Sequence, residues 1–219
     1  MIQKIAHIIS WIFLPLFIPI YGLIISLYVP SEEKIISNPS LYELPADLKN
    51  QLLVLFIIFG VIAPGISFIL LYKRQIISTV EMDNRKDRMI PLFIIFTYCI
   101  ILYFLFFLKA PNNILPIYIY ALPLTGAIIA LVFLLINFWT KISLHAAGAG
   151  IFTGYLYAFF AHQLIIEYRL ILIAFVVSGI IMSSRLFLNK HTPLQVYLGW
   201  SIAFIIAFVC NFHYPFNLA

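Results

Sequence analysis

His145 and His191 are the residues of this 219-residue chain best placed for chemistry, because each stands in a short polar cluster between long apolar runs. The first cluster is Lys141-Ile142-Ser143-Leu144-His145. Ser143 is a natural N-cap, since its hydroxyl can accept from first-turn N–H groups that lack partners. His145 then falls in the first turn, beside the positive end of the helix dipole. The second cluster is Ser184-Arg185, followed by Asn189-Lys190-His191-Thr192-Pro193-Leu194-Gln195. Thr192 as N-cap, Pro193 at the first helical position and Gln195 three residues after the cap form a capping box. His191 thus precedes a helix N-terminus, where backbone donors and the dipole favour an anion. A third cluster, Val80 to Pro91, carries Glu81, Asp83, Asn84, Arg85, Lys86, Asp87 and Arg88.

Taken singly, each cluster has a structural explanation: a solvated loop, an interfacial histidine, and an arginine snorkelling from a helix end. Together they place two histidines, two helix starts, an arginine and a cationic loop on one membrane face. That combination favours a phosphate site, since several cations converge and an arginine fork matches phosphate oxygens. A histidine pair supplies the reaction, one imidazole attacking phosphorus while the other protonates the departing oxygen.

The elements that must position these residues follow from composition. Hydrophobic residues make up 64% of the chain and charged residues only 10%. With 21 Phe, 13 Tyr and a mean hydropathy of +1.08, the apolar surface exceeds what one core of this size buries. The rest must face lipid, which excludes a water-soluble globule. The net charge of +5 is spread over many helix ends and does not point to nucleic acid. Cys99 and Cys210 lie in apolar runs with no CxxC or Cys/His spacing, so neither a disulfide framework nor a metal site is expected.

Windows of about 20 residues, the length that spans roughly 30 Å of hydrocarbon, give apolar runs near 5–28, 51–72, 92–109, 114–138, 143–166, 170–188 and 193–211. The fold class expected is all-α, a polytopic transmembrane bundle of six to seven helices in a single integral membrane domain over residues 1–219. The first run contains Pro15 and Pro19 and lacks a small-x-small cleavage site, so it is read as a membrane helix rather than a signal peptide. The Ala146-Ala147-Gly148-Ala149-Gly150 stretch, with Gly154 completing a GxxxG spacing, predicts close approach of a neighbouring helix. Seven crossings put the three polar clusters on one side. That side carries nine of the 13 cations, but six of the nine belong to the phosphate clusters, so the positive-inside rule decides nothing.

Ser143-x-His145 followed by Ser184-Arg185-x5-His191 resembles the second and third signature motifs of the type 2 phosphatidic acid phosphatase (PAP2) superfamily of membrane proteins. The resemblance spans roughly Val80 to Gly199, with a core of about 51–211. It implies that His191 is a nucleophile forming phosphohistidine, that His145 protonates the leaving group, and that Ser143 and Arg185 bind phosphate. It implies no metal and no cofactor. The substrate implied is a lipid phosphate, the setting a bacterial inner membrane or its equivalent, and the site extracytoplasmic.

The chain departs from the family pattern at three places. Ile142 and Leu144 replace the proline and glycine of the second motif. Arg85-Lys86-Asp87-Arg88-Met89-Ile90-Pro91 occupies the place of the first motif, with Lys86 and Arg88 as its phosphate-binding cations. Gln195 stands where the family has an aspartate that orients the nucleophilic imidazole. An amide can fix the ring's tautomer but carries no charge to stabilise imidazolium, and Asp87 is a second candidate for that support.

The leading expectation is a metal-independent lipid phosphate or lipid diphosphate phosphatase acting through phosphohistidine, or a phosphotransferase using the same intermediate. Isoprenoid diphosphate, phosphatidate, phosphatidylglycerophosphate and lipid A all remain open as substrates. A non-catalytic lipid-phosphate binder or transporter on the same scaffold is the alternative. An intramembrane prenyltransferase would need paired aspartate motifs for magnesium, and Asp83-x3-Asp87 has no second copy.

Overall fold

The computed structural model describes residues 2–34, 40–82, 84–109, 115–116 and 118–213, and the described residues are helical apart from connections and one isolated β-bridge between Glu33 and Gln163. In chain order the helices are α1 (Ile2–Ile12), α2 (Ile18–Tyr28), α3 (Ala46–Ile57), α4 (Ala63–Lys73), α5 (Met89–Lys109), α6 (Tyr118–Ile136), α7 (Leu144–Ala161), α8 (Tyr168–Phe187) and α9 (Pro193–His213). A π turn over Ile58–Ile62 joins α3 to α4, making one apolar segment Ala46–Lys73. The wide turn comes just before Pro64, which cannot donate to the carbonyl four residues back. Ala63 N–H reaches Ile58 instead.

Six segments are long and apolar enough to cross a membrane, and the protein is a polytopic helical bundle. The first apolar run, expected as one helix over 5–28, is split. α1 ends at Ile12, Pro15 lies in the break, and α2 restarts at Ile18 with Pro19 in its first turn, where a missing N–H is harmless. Arg88 belongs to a short 3₁₀ turn, Lys86–Arg88, that leads directly into α5.

α7 is the most enclosed span, with 67% of its residues buried. Its glycines seat α9: a Cβ on Gly150 would come within 2.3 Å of the Trp200 carbonyl, and one on Gly154 within 2.5 Å of the Phe204 carbonyl. The expected small-residue seam is therefore real, and its occupant is α9. α2 and α8 cover other sides of α7. Tyr155, Leu156, Phe159 and Phe160 join Leu23, Leu27, Leu52 and Phe106 in the main core. Outside it, Phe104 and Phe107 of α5 and Leu172, Ile173 and Val176 of α8 are exposed, as surfaces meeting lipid must be.

The far end of α7 is tied by a separate polar set. Lys34 Nζ donates to the Ala161 carbonyl (2.7 Å), the Tyr118 hydroxyl bonds His162 Nδ1 (2.8 Å), and the Ser26 and Tyr155 hydroxyls meet at 2.7 Å.

Candidate functional site

The α8–α9 connection is built by two local motifs in succession. α8 closes in a Schellman arrangement, with Asn189 N–H on the Leu186 carbonyl (3.0 Å) and Lys190 N–H on the Arg185 carbonyl (3.2 Å). Asn189 takes the left-handed conformation this turn requires, at φ 52°. The chain then enters α9 through the capping box foreseen from sequence: Gln195 N–H donates to Thr192 Oγ1 (3.4 Å) and Thr192 N–H to Gln195 Oε1 (3.3 Å). These two turns set the separation of Arg185 and His191.

Gln195 does a second thing at once, since its Oε1 also lies 3.1 Å from His191 Nδ1. The Thr192 N–H fixes which amide atom faces the ring. An amide oxygen only accepts, so Nδ1 carries the hydrogen and Nε2 keeps the lone pair. Partial burial, then the Arg88, Lys141 and Arg185 charges, push the His191 imidazole down to about 3, against the opposing pull of Gln195. It is therefore neutral at physiological pH. His191, Gln195, Thr192, Asn189, Lys141 and Lys190 line an open pocket of about 490 Å³.

The start of α7 is docked onto the start of α9. Ser143 N–H donates to the Gln195 carbonyl (3.2 Å), and the fully buried Ser143 hydroxyl accepts from Ala146 N–H (3.4 Å), as an N-cap. Gly199 permits this approach, because a Cβ there would lie 2.8 Å from an Ile142 methyl and 2.9 Å from the Ser143 carbonyl. Arg88, only 4% exposed, braces the same end by donating to the Ile142 carbonyl and to the Met82 carbonyl (2.8 Å). Its charge bears on both His191 and His145.

His145, in the first turn of α7, is within electrostatic reach of Arg185, His191 and Arg88. Its Nε2 lies 3.1 Å from the backbone carbonyl of Ser10 on α1, so that nitrogen carries the hydrogen. Arg185, 6% exposed, donates from Nη1 to the Ser10 hydroxyl (3.1 Å), which is also 3.4 Å from Ser184 Oγ. Ser10 was missed in the sequence, where a lone serine in an apolar run reads as helix filler. No short-range pattern links it to residues more than 130 positions away.

The structure thus brings His145, His191, Arg185, Arg88, Ser143 and Gln195 to one end of the bundle. Two expectations need correction. Asp87 does not support His191: it accepts from the Ser78 N–H (3.0 Å) and the Ser78 hydroxyl, which occupies it in its own loop. Lys86 is exposed and is not among the charges acting on either histidine, so of the pair Lys86 and Arg88 it is Arg88 that reaches the site. Lys190 Nζ pairs with Glu81 (3.0 Å), tying the polar loop to the pocket rim. Asp83 lies outside the described residues. Among the described residues no three His, Cys, Asp or Glu side chains gather as a metal site would require.

Chemically, this end of the bundle offers a neutral imidazole with one nitrogen locked, a second histidine presenting an N–H, and buried guanidinium groups. Such a set suits an anion that can be attacked and protonated. Comparison with family models, with curated proteins and with solved structures finds no match.

Proposed function

We propose that the chain is a membrane-embedded, metal-independent phosphohydrolase or phosphotransferase of the type 2 phosphatidic acid phosphatase kind, acting on a lipid phosphate or lipid diphosphate. The observation that carries this reading is the hydrogen bond of His191 Nδ1 to Gln195 Oε1 (3.1 Å), in a ring that partial burial and then neighbouring cations keep unprotonated. A nucleophilic imidazole needs that arrangement: one nitrogen held, the other basic.

In this reading His191 Nε2 attacks phosphorus and the P–O bond to the lipid breaks. The leaving oxygen takes the Nε2 proton of His145 acting as imidazolium, the form the substrate's negative charge favours, and Arg185 and Arg88 hold the charge on the phosphoryl oxygens. Water then attacks the phosphohistidine, returns a proton to His145 and releases phosphate. A lipid substrate fits a bundle whose outer helix faces are apolar, since its tails can stay in the bilayer while the headgroup reaches the polar end.

Phosphate release from purified lipid phosphates in the presence of EDTA tests the reading directly. The wild-type protein should turn over and His191→Ala should not. An acid-labile phosphoenzyme should form in the wild type only. A folded His191→Ala protein with full activity would end the assignment. Binding of lipid phosphate without turnover would point to a non-catalytic binder, a reading favoured by the uncharged Gln195 beside the imidazole.

A further inference from the structure

Ser10 stands outside every motif discussed so far, yet it engages two of the side chains that would donate to a substrate. Its carbonyl accepts from His145 Nε2–H at 3.1 Å, and its hydroxyl accepts from Arg185 Nη1 at 3.1 Å. In the phosphohydrolase reading, on which this inference rests, those donors serve two oxygens of one phosphoester: the departing oxygen and a non-bridging one. A single residue presents two oxygens in their place. While Ser10 holds the Nε2–H of His145, that proton is not directed at a leaving oxygen.

The helix that carries Ser10 is short and is packed along one face only. α1 has only 11 residues, packs chiefly against α8, and is followed by the Pro15 break rather than by continuous helix. Ala6 and Ser10 are its buried positions, whereas Ile2, Ile5, Ile8, Trp11 and Ile12 are all exposed. Lifting α1 would leave the α7–α9 seam and the α8–α9 turn intact. It would open the His145 and Arg185 end toward the lipid that the exposed α1 face must contact.

We infer that α1 is a lid in which Ser10 acts as an internal stand-in for a phosphate ester, and that a phosphate group carried on a membrane lipid enters between α1 and α8 and displaces it. The polar atoms exchanged are of the same kind, oxygen acceptors for oxygen acceptors, so opening leaves neither His145 nor Arg185 without a partner once substrate arrives. With no substrate, Ser10 keeps both Arg185 Nη1 and the Nε2–H of His145 hydrogen-bonded.

A disulfide lock tests this. Ser10→Cys with Ser184→Cys, in a background with Cys99→Ala and Cys210→Ala, places two thiols where hydroxyls now lie 3.4 Å apart, within the adjustment a disulfide needs. Two probes are read in the reduced and oxidised states: turnover of phosphatidate in vesicles, and the thermal shift produced by inorganic phosphate. Both should be present when reduced, lost when oxidised, and restored by reductant. Equal behaviour in the two states overturns the lid. Loss of lipid turnover with phosphate binding retained would put Ser10 on the lipid's path rather than in the phosphate's place, and overturns the stand-in, as would the converse.

Ser10→Ala keeps the backbone carbonyl and gives a second measure if the lock does not form. Phosphate should bind about two- to tenfold more tightly, the worth of one hydrogen bond no longer competed for, whereas weaker binding would make Ser10 a ligand and refute the proposal. If the unlocked wild type neither binds phosphate nor turns over lipid phosphate, the phosphohydrolase reading itself fails. If it does both and the lock has no effect, only the lid fails.

Discussion

At the scale of single residues, Gln195 is where local folding and proposed chemistry meet, since one oxygen serves the Thr192 N–H and the His191 ring together. Gln195→Leu should remove both bonds, leave the His191 tautomer unfixed and lower turnover by about tenfold to a hundredfold, the range for partners that hold an active imidazole. Gln195→Glu keeps the reach, adds a charge and should raise the proton affinity of His191 from its depressed value near 3. Asp is shorter by one methylene and is the poorer mimic in this geometry. Rates per folded molecule that are indifferent to Glu and Leu would reduce Gln195 to a helix cap. The spacing of Ser143, His145, Arg185, His191 and Gln195 was legible in the sequence because caps and turns are local codes. The choice of Arg88 over Lys86 was not, because burial decides it. Neither was Ser10, whose role exists only through tertiary contact.

At the scale of elements, hydropathy located the long helices to within a few residues, since span length is set by the bilayer rather than by detail. It failed at the first run, where averaging over apolar residues hid the break between α1 and α2 that Pro15 marks. The α8–α9 turn offers a test of how firmly an element positions the site. Asn189 holds φ 52°, so Asn189→Gly should fold and work like the wild type. Asn189→Val forces a β-branched side chain into the left-handed region and should cost about 1–2 kcal/mol. That would appear as a lower melting temperature in detergent, with turnover falling further than stability explains if His191 is displaced.

At the scale of the whole molecule, the polar end opposite the candidate site contributes its own pH dependence. Glu33 is raised from 4.5 to about 7 by burial. Its folded form binds a proton more readily than its unfolded form, so stability is fully present below pH 4.5 and falls as pH rises through 7. Glu33→Gln should therefore melt higher than the wild type at pH 8 and equal to it near pH 4.5. A pH-independent difference would assign the effect to packing. The two ends of α7 are fastened, one through Ser143 and His145 and the other through His162, and neighbours enclose its length. With 18 residues it is the shortest of the six spans, about 27 Å long against roughly 30 Å of hydrocarbon. A helix both fastened and enclosed has little freedom to change its tilt, so the match to the bilayer is carried by the longer lipid-facing spans around it, at a cost of a fraction of a kcal/mol per Å of mismatch. In the proposed reaction, turnover in reconstituted vesicles should fall as acyl chains lengthen beyond what those spans cover, because the polar end of α7 is then drawn below the headgroups, making this protein a gauge of the depth of its own bilayer.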